Sequence, residues 1–310
     1  MSSGGGRLAA IDVGSNTILL TVAEADAGHG LSIVEEAEDQ PRLGAGLGAS
    51  GRLQDDAMRR ALQTLVRMRD TCRRLNAHRI AAVATAAVRE AANGDEFVQR
   101  VRELHIPLRT ISPETEAALS YRSAAFRFGP EGRMLVADIG GGSLELIGAA
   151  AGTVSVTLSL PLGAVRLTEL RTSQEKLRHH IHQTLAAAIP RDEWRDARVI
   201  GSGGTFATLA TMALARRGEK RDVIHGTTIE KVEVQQLLET MAGMSLEQRR
   251  EVPGIRAERA DIIVAGLTVV AELLKAVPTD RVTVSRFGLR DGLLLDMLEL
   301  PTLRTESRCS

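Results

Sequence analysis

The chain has 310 residues, of which 44% are hydrophobic and 25% charged, the composition of an ordinary globular protein long enough for two domains. Aromatic residues make up only 2%, which argues against a stacking platform for single-stranded nucleic acid. Because the formal net charge is zero, any polyanion has to be met by local basic clusters. The two cysteines, Cys72 and Cys309, are isolated, which excludes a disulfide framework and a cysteine-based zinc site.

Targeting and membrane signals are missing from the sequence. Residues 1–6 are small and polar and lack a secretory pattern. The longest apolar run of note, Ile262 to Ala271, has about half the length needed to cross a bilayer. We therefore expect a soluble, cytoplasmic protein with neither nucleic-acid nor membrane partners.

The first predicted element is a β-hairpin. Two short apolar strands, Leu8 to Val13 and Ile18 to Ala23, flank the turn Gly14-Ser15-Asn16-Thr17, and Asp12 lies near the end of the first strand. Further elements predicted up to residue 128 are a strand at 33–37, a helix at 55–75, a strand at 79–84, helical segments at 85–89 and 96–104, a strand at 108–111 and a helix from Pro113 to about Phe126.

Two features of this first half allow a structural and a functional interpretation. The helix at 55–75 carries six arginines, which form either a solvated face or a basic track for a polyanion: Arg59, Arg60, Arg67, Arg69, Arg73 and Arg74. Glu114 and Glu116 follow the N-cap Ser112, where carboxylates ordinarily compensate the helix dipole. On local grounds that ordinary role is favoured for Glu116.

A second predicted hairpin occupies Met134 to Gly148 and contains the turn Gly140-Gly141-Gly142. A turn centred on Gly141 and Gly142 places Asp138 directly opposite Glu145, with Cβ atoms about 5 Å apart. Like charges so placed are destabilising, which predicts a cation or a proton between them. The bare glycine backbone can approach a phosphate closely. The hairpin therefore predicts a phosphate loop with a metal-binding acid pair.

The two hairpins share one pattern. Asp12 and Asp138 lie 126 residues apart, about one domain length, which indicates a duplicated unit, although a chance repeat is the alternative. Further predicted elements are a strand at 153–160, helical segments up to 188, a strand at 198–200, a helix to about 215, helices at 231–242 and 259–275, a strand at 282–284 and a closing helix at 289–298.

A third glycine segment, Gly201-Ser202-Gly203-Gly204-Thr205, joins a strand to a helix. That order suits phosphate or nucleotide binding at a helix N-terminus, but the Gly-Lys-Ser/Thr of a P-loop and the last glycine of a dinucleotide fingerprint are missing.

The element order predicts two α/β domains facing each other, at residues 1–128 and 129–300, with the closing helix 289–298 packing back on the first and a polar tail at 301–310.

Six segments together resemble the exopolyphosphatase and guanosine pentaphosphate phosphohydrolase family, which belongs to the superfamily of acetate and sugar kinases, heat-shock chaperones and actin. They cover roughly residues 7–298: Ile11 to Thr17, Thr85 to Arg89, Glu116-Ala117, Asp138 to Glu145, Gly201 to Thr205 and Gly288 to Gly292. The resemblance implies two actin-like, ribonuclease H-like α/β domains with an interdomain cleft, removal of a terminal phosphate by water, Mg²⁺ as cofactor and a homodimer.

The same resemblance implies residue roles. Glu116 matches the general base, which reverses the local interpretation, and Asp138 and Glu145 match metal-linked carboxylates. Asp12 either binds Mg²⁺ through water or positions Asn16. Matching phosphate contacts are Asn16, Arg89, Gly141, Gly142 and Ser143, to which we add the loop neighbours Ser15, Thr17, Gly203 and Gly204.

This chain departs from the family at Thr115, where members commonly have a second glutamate, and it resembles a short, two-domain form. The favoured function is an exopolyphosphatase acting on inorganic polyphosphate, with a preference for short chains as a further hypothesis. The alternatives are a guanosine pentaphosphate phosphohydrolase, a small-molecule kinase of the superfamily, or a sensor that binds polyphosphate or an alarmone without turnover.

Overall fold

The computed structural model of the chain describes residues 6–25, 30–189, 194–221 and 223–298. These residues divide into two compact units: the first ends at Ser123 and also contains the described residues from Leu289 onward, and the second is Ala124–Gly288. This division falls five residues before the predicted boundary at residue 128. Residues 1–5 and the predicted polar tail at 301–310 lie outside the described residues.

The first unit is built on a five-stranded mixed sheet in the order β3-β2-β1-β4-β5. Its strands are β1 (Arg7–Val13), β2 (Ile18–Ala25), β3 (Leu31–Asp39), β4 (Ala77–Ala84) and β5 (Leu108–Thr110). The first three pair antiparallel, whereas β1–β4 and β4–β5 are parallel, as expected when helices connect them. The helices are α1 (Leu47–Ser50), α2 (Asp55–Arg74), α3 (Ala86–Glu90), α4 (Gly94–Glu103), α5 (Pro113–Phe128), which continues past the unit boundary, and α12 (Leu289–Met297).

Alternation along β1 divides the apolar residues of the first unit between the two faces of its sheet. Ala9, Ile11 and Val13 join a core with the inner residues of α2 and α4. Leu8 and Ala10 join a smaller core with α12. Because side chains alternate along a strand, Asp12 belongs to the face that α12 covers.

The second unit repeats this topology with one extra edge strand. Its sheet order is β10-β11-β9-β6-β7-β8, with strands β6 (Arg133–Ile139), β7 (Leu144–Ala150), β8 (Thr153–Leu160), β9 (Arg198–Ser202), β10 (Thr228–Glu230) and β11 (Arg281–Val284). The meander β6-β7-β8 is antiparallel, and β9 and β11 add in parallel, as β4 and β5 do in the first unit. The helices are α6 (Ala164–Glu169), α7 (Gln174–Ala188), α8 (Gly203–Arg217), α9 (Lys231–Ala242), α10 (Leu246–Arg250) and α11 (Ile263–Ala276).

The main core of the second unit lies on one face of this sheet. Leu135, Ala137 and Ile139 of β6 pack there with residues of α7, α8, α9 and α11. Asp138 and Glu145 therefore belong to the opposite face. In the part of the chain that is described, no helix has the length and apolar character needed to cross a lipid bilayer.

Four local predictions were wrong or incomplete. The glycine-rich segment 41–51, where no helix or strand was predicted, contains the short helix α1, framed by Gly46 and Gly51 in left-handed conformations. The helix predicted from Arg259 begins at Ile263, because residues 257–259 form a 3-10 turn. Strand β10 and helix α10 were not predicted, although Ser245 and Gln248 form a capping box that is readable in the sequence.

Candidate active site

The acid pair of the second hairpin has the predicted register. Asp138 of β6 pairs directly with Glu145 of β7. Ser202 on the neighbouring strand β9 donates to Asp138 Oδ2 at 2.8 Å, and Ser159 on β8 donates to Glu145 Oε1 at 3.0 Å. Four polar side chains thus form one row across four strands, with two carboxylates in the middle and a hydroxyl at each end.

The glycine turn beside this row is held by helix α6. Backbone N–H groups of α6 donate to the turn: Ala164 to Gly140 O at 3.0 Å, and Val165 and Arg166 to Gly141 O at 3.0 and 3.1 Å. Arg166 Nε also donates to Gly142 O at 2.8 Å. Because α6 occupies the carbonyl oxygens, the amides of Gly141 and Gly142 are the polar groups that the turn can offer a phosphate.

The junction of β9 and α8, where Ser202 is followed directly by the first helical residue Gly203, adjoins Asp138. Gly203 has φ +85°, and a Cβ there would lie 2.5 Å from Asp138 Oδ1, so only glycine fits. Ser202 is the N-cap of α8, yet its side chain makes no capping hydrogen bond, because its hydroxyl is given to Asp138. The Ser202 side chain therefore does not cap the first-turn amides of α8. Uncapped amides at a helix N-terminus are the groups that bind an anion.

Arg259 is a candidate that the sequence did not reveal. A Cβ at Gly204 would lie 1.9 Å from Arg259 Nη2 and 2.2 Å from Nη1. The guanidinium therefore lies directly against the backbone of the glycine loop. In the sequence Arg259 lies at the predicted start of a helix. No pattern near Arg259 links it to Gly204, 55 residues earlier.

In the first unit, Ser15, Asn16 and Thr17 of the turn are buried, and a neighbouring segment binds the carbonyl oxygens of the turn. Gly44 N donates to Ser15 O at 2.7 Å and Arg42 N to Asn16 O at 3.1 Å. The Asn16 amide contacts Thr17 Oγ1 at 3.3 Å and Gln40 Oε1 at 3.5 Å. Asn16 Oδ1 is buried and has no hydrogen-bond partner among the described residues. Buried polar atoms are normally hydrogen-bonded, so this oxygen is a candidate to bind a ligand or water.

Glu116 and Arg89 contact each other in the first unit. Arg89 Nη1 lies 3.1 Å from Glu116 Oε2 and 3.0 Å from the carbonyl oxygen of Ile111, and Glu116 is 9% exposed. The contact orients the Glu116 carboxylate. Glu114 differs: it is exposed, and the hydrogen bond with the Ser112 hydroxyl lowers the pKa of its carboxyl group. Glu114 is the ordinary first-turn acid, whereas Glu116 is held inside the unit.

The arginines of α2 are mostly used within the first unit. Arg60 donates twice to Pro41 O, at 3.2 and 3.0 Å, and Arg67 pairs with Asp39. Arg59 pairs with Asp56, and Arg69 with Asp70. These contacts favour the structural interpretation of that helix face over a basic track.

The acid pair suits a divalent cation. Groups of three or more His, Cys, Asp or Glu side chains that could hold a metal are absent from the described residues. Mg²⁺ needs no such group, since it is usually held by one or two carboxylates together with phosphates and waters. Asp138 and Glu145, whose serine partners lie on the flanking strands β9 and β8, fit that donor set.

One cavity of about 560 Å³ lies elsewhere in the second unit. Its lining comes from α7, α9, α11 and the region of β10 and includes Arg178, Lys231, Gln235 and Lys275. None of the predicted site residues lines it. This cavity is therefore not part of the candidate active site.

Residues 21–300 match the Ppx/GppA phosphatase family. The chain belongs to this family. A solved Ppx/GppA family member from Aquifex aeolicus is 30% identical with a TM-score of 0.80, over 94% of this chain and 97% of that one. An exopolyphosphatase from Cytophaga hutchinsonii is 27% identical with a TM-score of 0.87, over 94% and 98%. Membership of the Ppx/GppA family identifies the chain as a phosphatase, and the two mixed sheets confirm the prediction of two α/β units.

Proposed function

We propose that this protein is an exopolyphosphatase, which releases terminal orthophosphate from inorganic polyphosphate by attack of water. The observation that carries the proposal is the row Ser202-Asp138-Glu145-Ser159 beside a glycine turn whose carbonyl oxygens are already bound. Phosphoryl transfer depends mainly on positioning and on charge stabilisation. A polyanionic substrate, paired carboxylates and prearranged amides are consistent with that requirement. The solved exopolyphosphatase from Cytophaga hutchinsonii supports the same substrate class.

The second unit would bind the phosphoryl group that is transferred. Amides of Gly141 and Gly142, the Ser143 hydroxyl, the Gly203-Gly204 loop and Arg259 would contact its oxygens. Asp138 and Glu145 would hold Mg²⁺, which would neutralise charge on the substrate phosphates. The serine hydroxyls on either side would fix the orientation of both carboxylates.

By family resemblance, residues of the first unit would activate the attacking water and bind further phosphate oxygens. Glu116 would accept a proton from the attacking water, and Arg89 would orient that carboxylate. As the new P–O bond forms, the bridging P–O bond breaks and its electron pair leaves with the shortened chain. Ser15, Asn16 and Thr17 would contact phosphate oxygens, with Asp12 behind them. We also propose a cytoplasmic location and a homodimer, both from family resemblance.

The decisive test compares Glu116→Gln with Glu114→Gln, a matched control on the same turn of α5. Phosphate release from polyphosphate with Mg²⁺ should fall by about 10²–10⁴-fold in Glu116→Gln, the usual contribution of a general base, and stay near wild type in Glu114→Gln. Equal release by both variants would remove Glu116 as the base.

The same assay separates the other functions. Release from guanosine pentaphosphate but not from polyphosphate would make the protein a pentaphosphate phosphohydrolase. Consumption of ATP only when an acceptor is added would make it a kinase. Tight binding of polyphosphate without release by the wild type would make it a sensor.

A further inference from the structure

A cluster of aromatic and basic side chains lies after strand β11 and plays no part in the chemistry above. We call it the Phe287 cluster: Arg127, Phe128, His225, Arg286 and Phe287. The Arg127 guanidinium lies over the Phe287 ring, 3.8 Å from its centroid, and that of Arg286 lies 5.4 Å from it. The His225 ring meets Phe287 edge-on at 4.9 Å and Phe128 at 4.8 Å. This is a notable concentration in a chain that is only 2% aromatic.

Hydrogen bonds to backbone atoms fix the segments that carry Phe128, His225 and Phe287. The Ser285 hydroxyl donates to Phe287 O at 2.8 Å and accepts from Phe287 N at 3.1 Å. Arg198 of β9 donates to the carbonyl oxygens of Phe128, Gly129 and Glu131. Gly226 N donates to Val284 O at 2.8 Å, which ties the His225 loop to β11. The cluster is therefore part of the folded unit and not a chance contact of surface side chains.

The cluster continues directly into the acid-pair site. Gly288 follows Phe287, and a Cβ at Gly288 would lie 3.4 Å from Asp138 Oδ2 and 3.8 Å from Ser202 Oγ. The residue that directly follows Phe287 therefore lies at van der Waals distance from the Asp138 carboxylate. The segment that carries Arg286 and Phe287 therefore adjoins the Asp138 side of the candidate site.

Two guanidinium groups place positive charge beside His225. Burial, Arg127 and Arg286 together lower the pKa of His225 below its ordinary value, in that order of importance. The Nδ1 atom of His225 is buried and has no hydrogen-bond partner among the described residues. Two guanidinium groups that discourage a third positive charge are suited to attract an anion instead.

We propose that the Phe287 cluster is a specificity site that holds internal phosphates of the polyphosphate chain, behind the terminal phosphate at Asp138. This inference rests on the proposed function and adds to it. A nucleobase would have to stack on Phe287, where Arg127 already covers one ring face and His225 meets the edge, whereas phosphates match the two guanidinium groups directly. Arg286, which is exposed, and Arg127 would bind the phosphates, with Phe287 as the positioning residue that supports both guanidinium groups.

The test compares Arg286→Gln and the double variant Arg127→Gln/Arg286→Gln with Arg281→Gln. Arg281 is an exposed arginine at the start of β11, and Arg286 follows the end of that strand, so the control removes the same charge from a position five residues away. We expect the KM for long-chain polyphosphate to rise about tenfold in the double variant with kcat nearly unchanged, and the KM for tripolyphosphate to change by less than about twofold. The dependence of log KM on log salt should also become shallower.

Equilibrium binding separates this inference from the proposed function. Calorimetry on the Glu116→Gln protein, with and without the double substitution, measures the Kd for long-chain polyphosphate without turnover, and thermal unfolding verifies that each variant is folded. A Kd that stays within about twofold, or an equal loss in Arg281→Gln, overturns the inference even if the wild type is active. A larger effect on guanosine pentaphosphate than on polyphosphate also overturns it. Absence of release by the wild type overturns the proposed function instead.

Discussion

The two hairpin turns have the same backbone arrangement and different side chains. Gly14 N donates to Thr17 O and Gly140 N to Ser143 O, both at 3.0 Å. In each turn a second segment binds the carbonyl oxygens, the 42–44 loop in the first unit and α6 in the second. The difference lies opposite the aspartate: Asp12 pairs with Leu19, whereas Asp138 pairs with Glu145.

This comparison indicates how a duplicated fold can divide one task. The first turn offers hydroxyl and amide side chains at Ser15 and Asn16, where the second has bare glycines. Of the two hairpins, only the second pairs two carboxylates across the strands, which is why the proposed cation site is placed there. The shared part is the backbone that presents amides to an anion, and the different part is the distribution of charge.

The largest expected effect comes from giving the second hairpin the leucine of the first. Glu145→Leu should lower kcat for phosphate release by about 10²–10³-fold, the size of effect seen when a charge-stabilising group is removed, and should weaken the response to Mg²⁺. The free energy of unfolding should stay equal or rise, because a buried acid is replaced by an apolar side chain. Activity across a Mg²⁺ titration and denaturant unfolding check both parts.

Glu145→Gln is the control for that substitution. It keeps an acceptor for the Ser159 hydroxyl and removes only the charge. If it retains full activity and Mg²⁺ dependence while Glu145→Leu does not, the difference between the two hairpins is one of packing and not of charge.

A smaller effect is expected where each turn meets its supporting segment. A Cβ at Gly163 would lie 2.2 Å from Gly142 C and 2.3 Å from Gly141 O, whereas one at Gly44 would lie 3.0 Å from Ser15 Cβ. Gly163→Ala should therefore destabilise the protein by about 1–3 kcal/mol, as overpacking does, and Gly44→Ala by less. Urea unfolding measures both, and equal losses would mean that the two turns are held equally tightly.

The smallest expected effect is at the end of the third strand. Asp39 pairs with Ile18 in the first unit, whereas Leu160 holds the matching place beside Leu144 in the second. Burial raises the pKa of the Asp39 carboxyl, but hydrogen bonds from Thr64, the Gln40 amide and Arg67 outweigh it, so the pKa lies below the ordinary 3.8. The resulting stabilisation is complete above that ordinary value and is lost as the pH falls through the lowered pKa.

Asp39→Asn should lower the free energy of unfolding at pH 7 by less than about 1 kcal/mol, because the pair is solvent-screened. The difference from wild type should shrink as the pH falls below about 4. Unfolding curves between pH 7 and pH 3 check this, with Asp280→Asn in the second unit as a control. A constant difference over that range would contradict a charge-based contribution.

Much of the fold was readable because it rests on local patterns. Strand alternation and the near-symmetric turn predicted the Asp138–Glu145 register, and the repeat beginning at Asp12 predicted a second unit of the same kind. What the sequence did not reveal depends on distant contacts. Arg259 against Gly204 and α6 against the glycine turn both arise from tertiary packing, and neither has a sequence signal at the residues concerned. The residue roles in catalysis stay predictions.

The support of the glycine turn by α6 has a consequence for the thermodynamics of ligand binding. Because the carbonyl oxygens of Gly140, Gly141 and Gly142 are already bound, no peptide group of the turn has to reorient when a phosphate arrives. Binding there would order little backbone, so its entropy would come mainly from released water and counterions, and its heat-capacity change would be small. The turn would act as a rigid receptor, and adaptation to chains of different length would fall to other parts of the molecule.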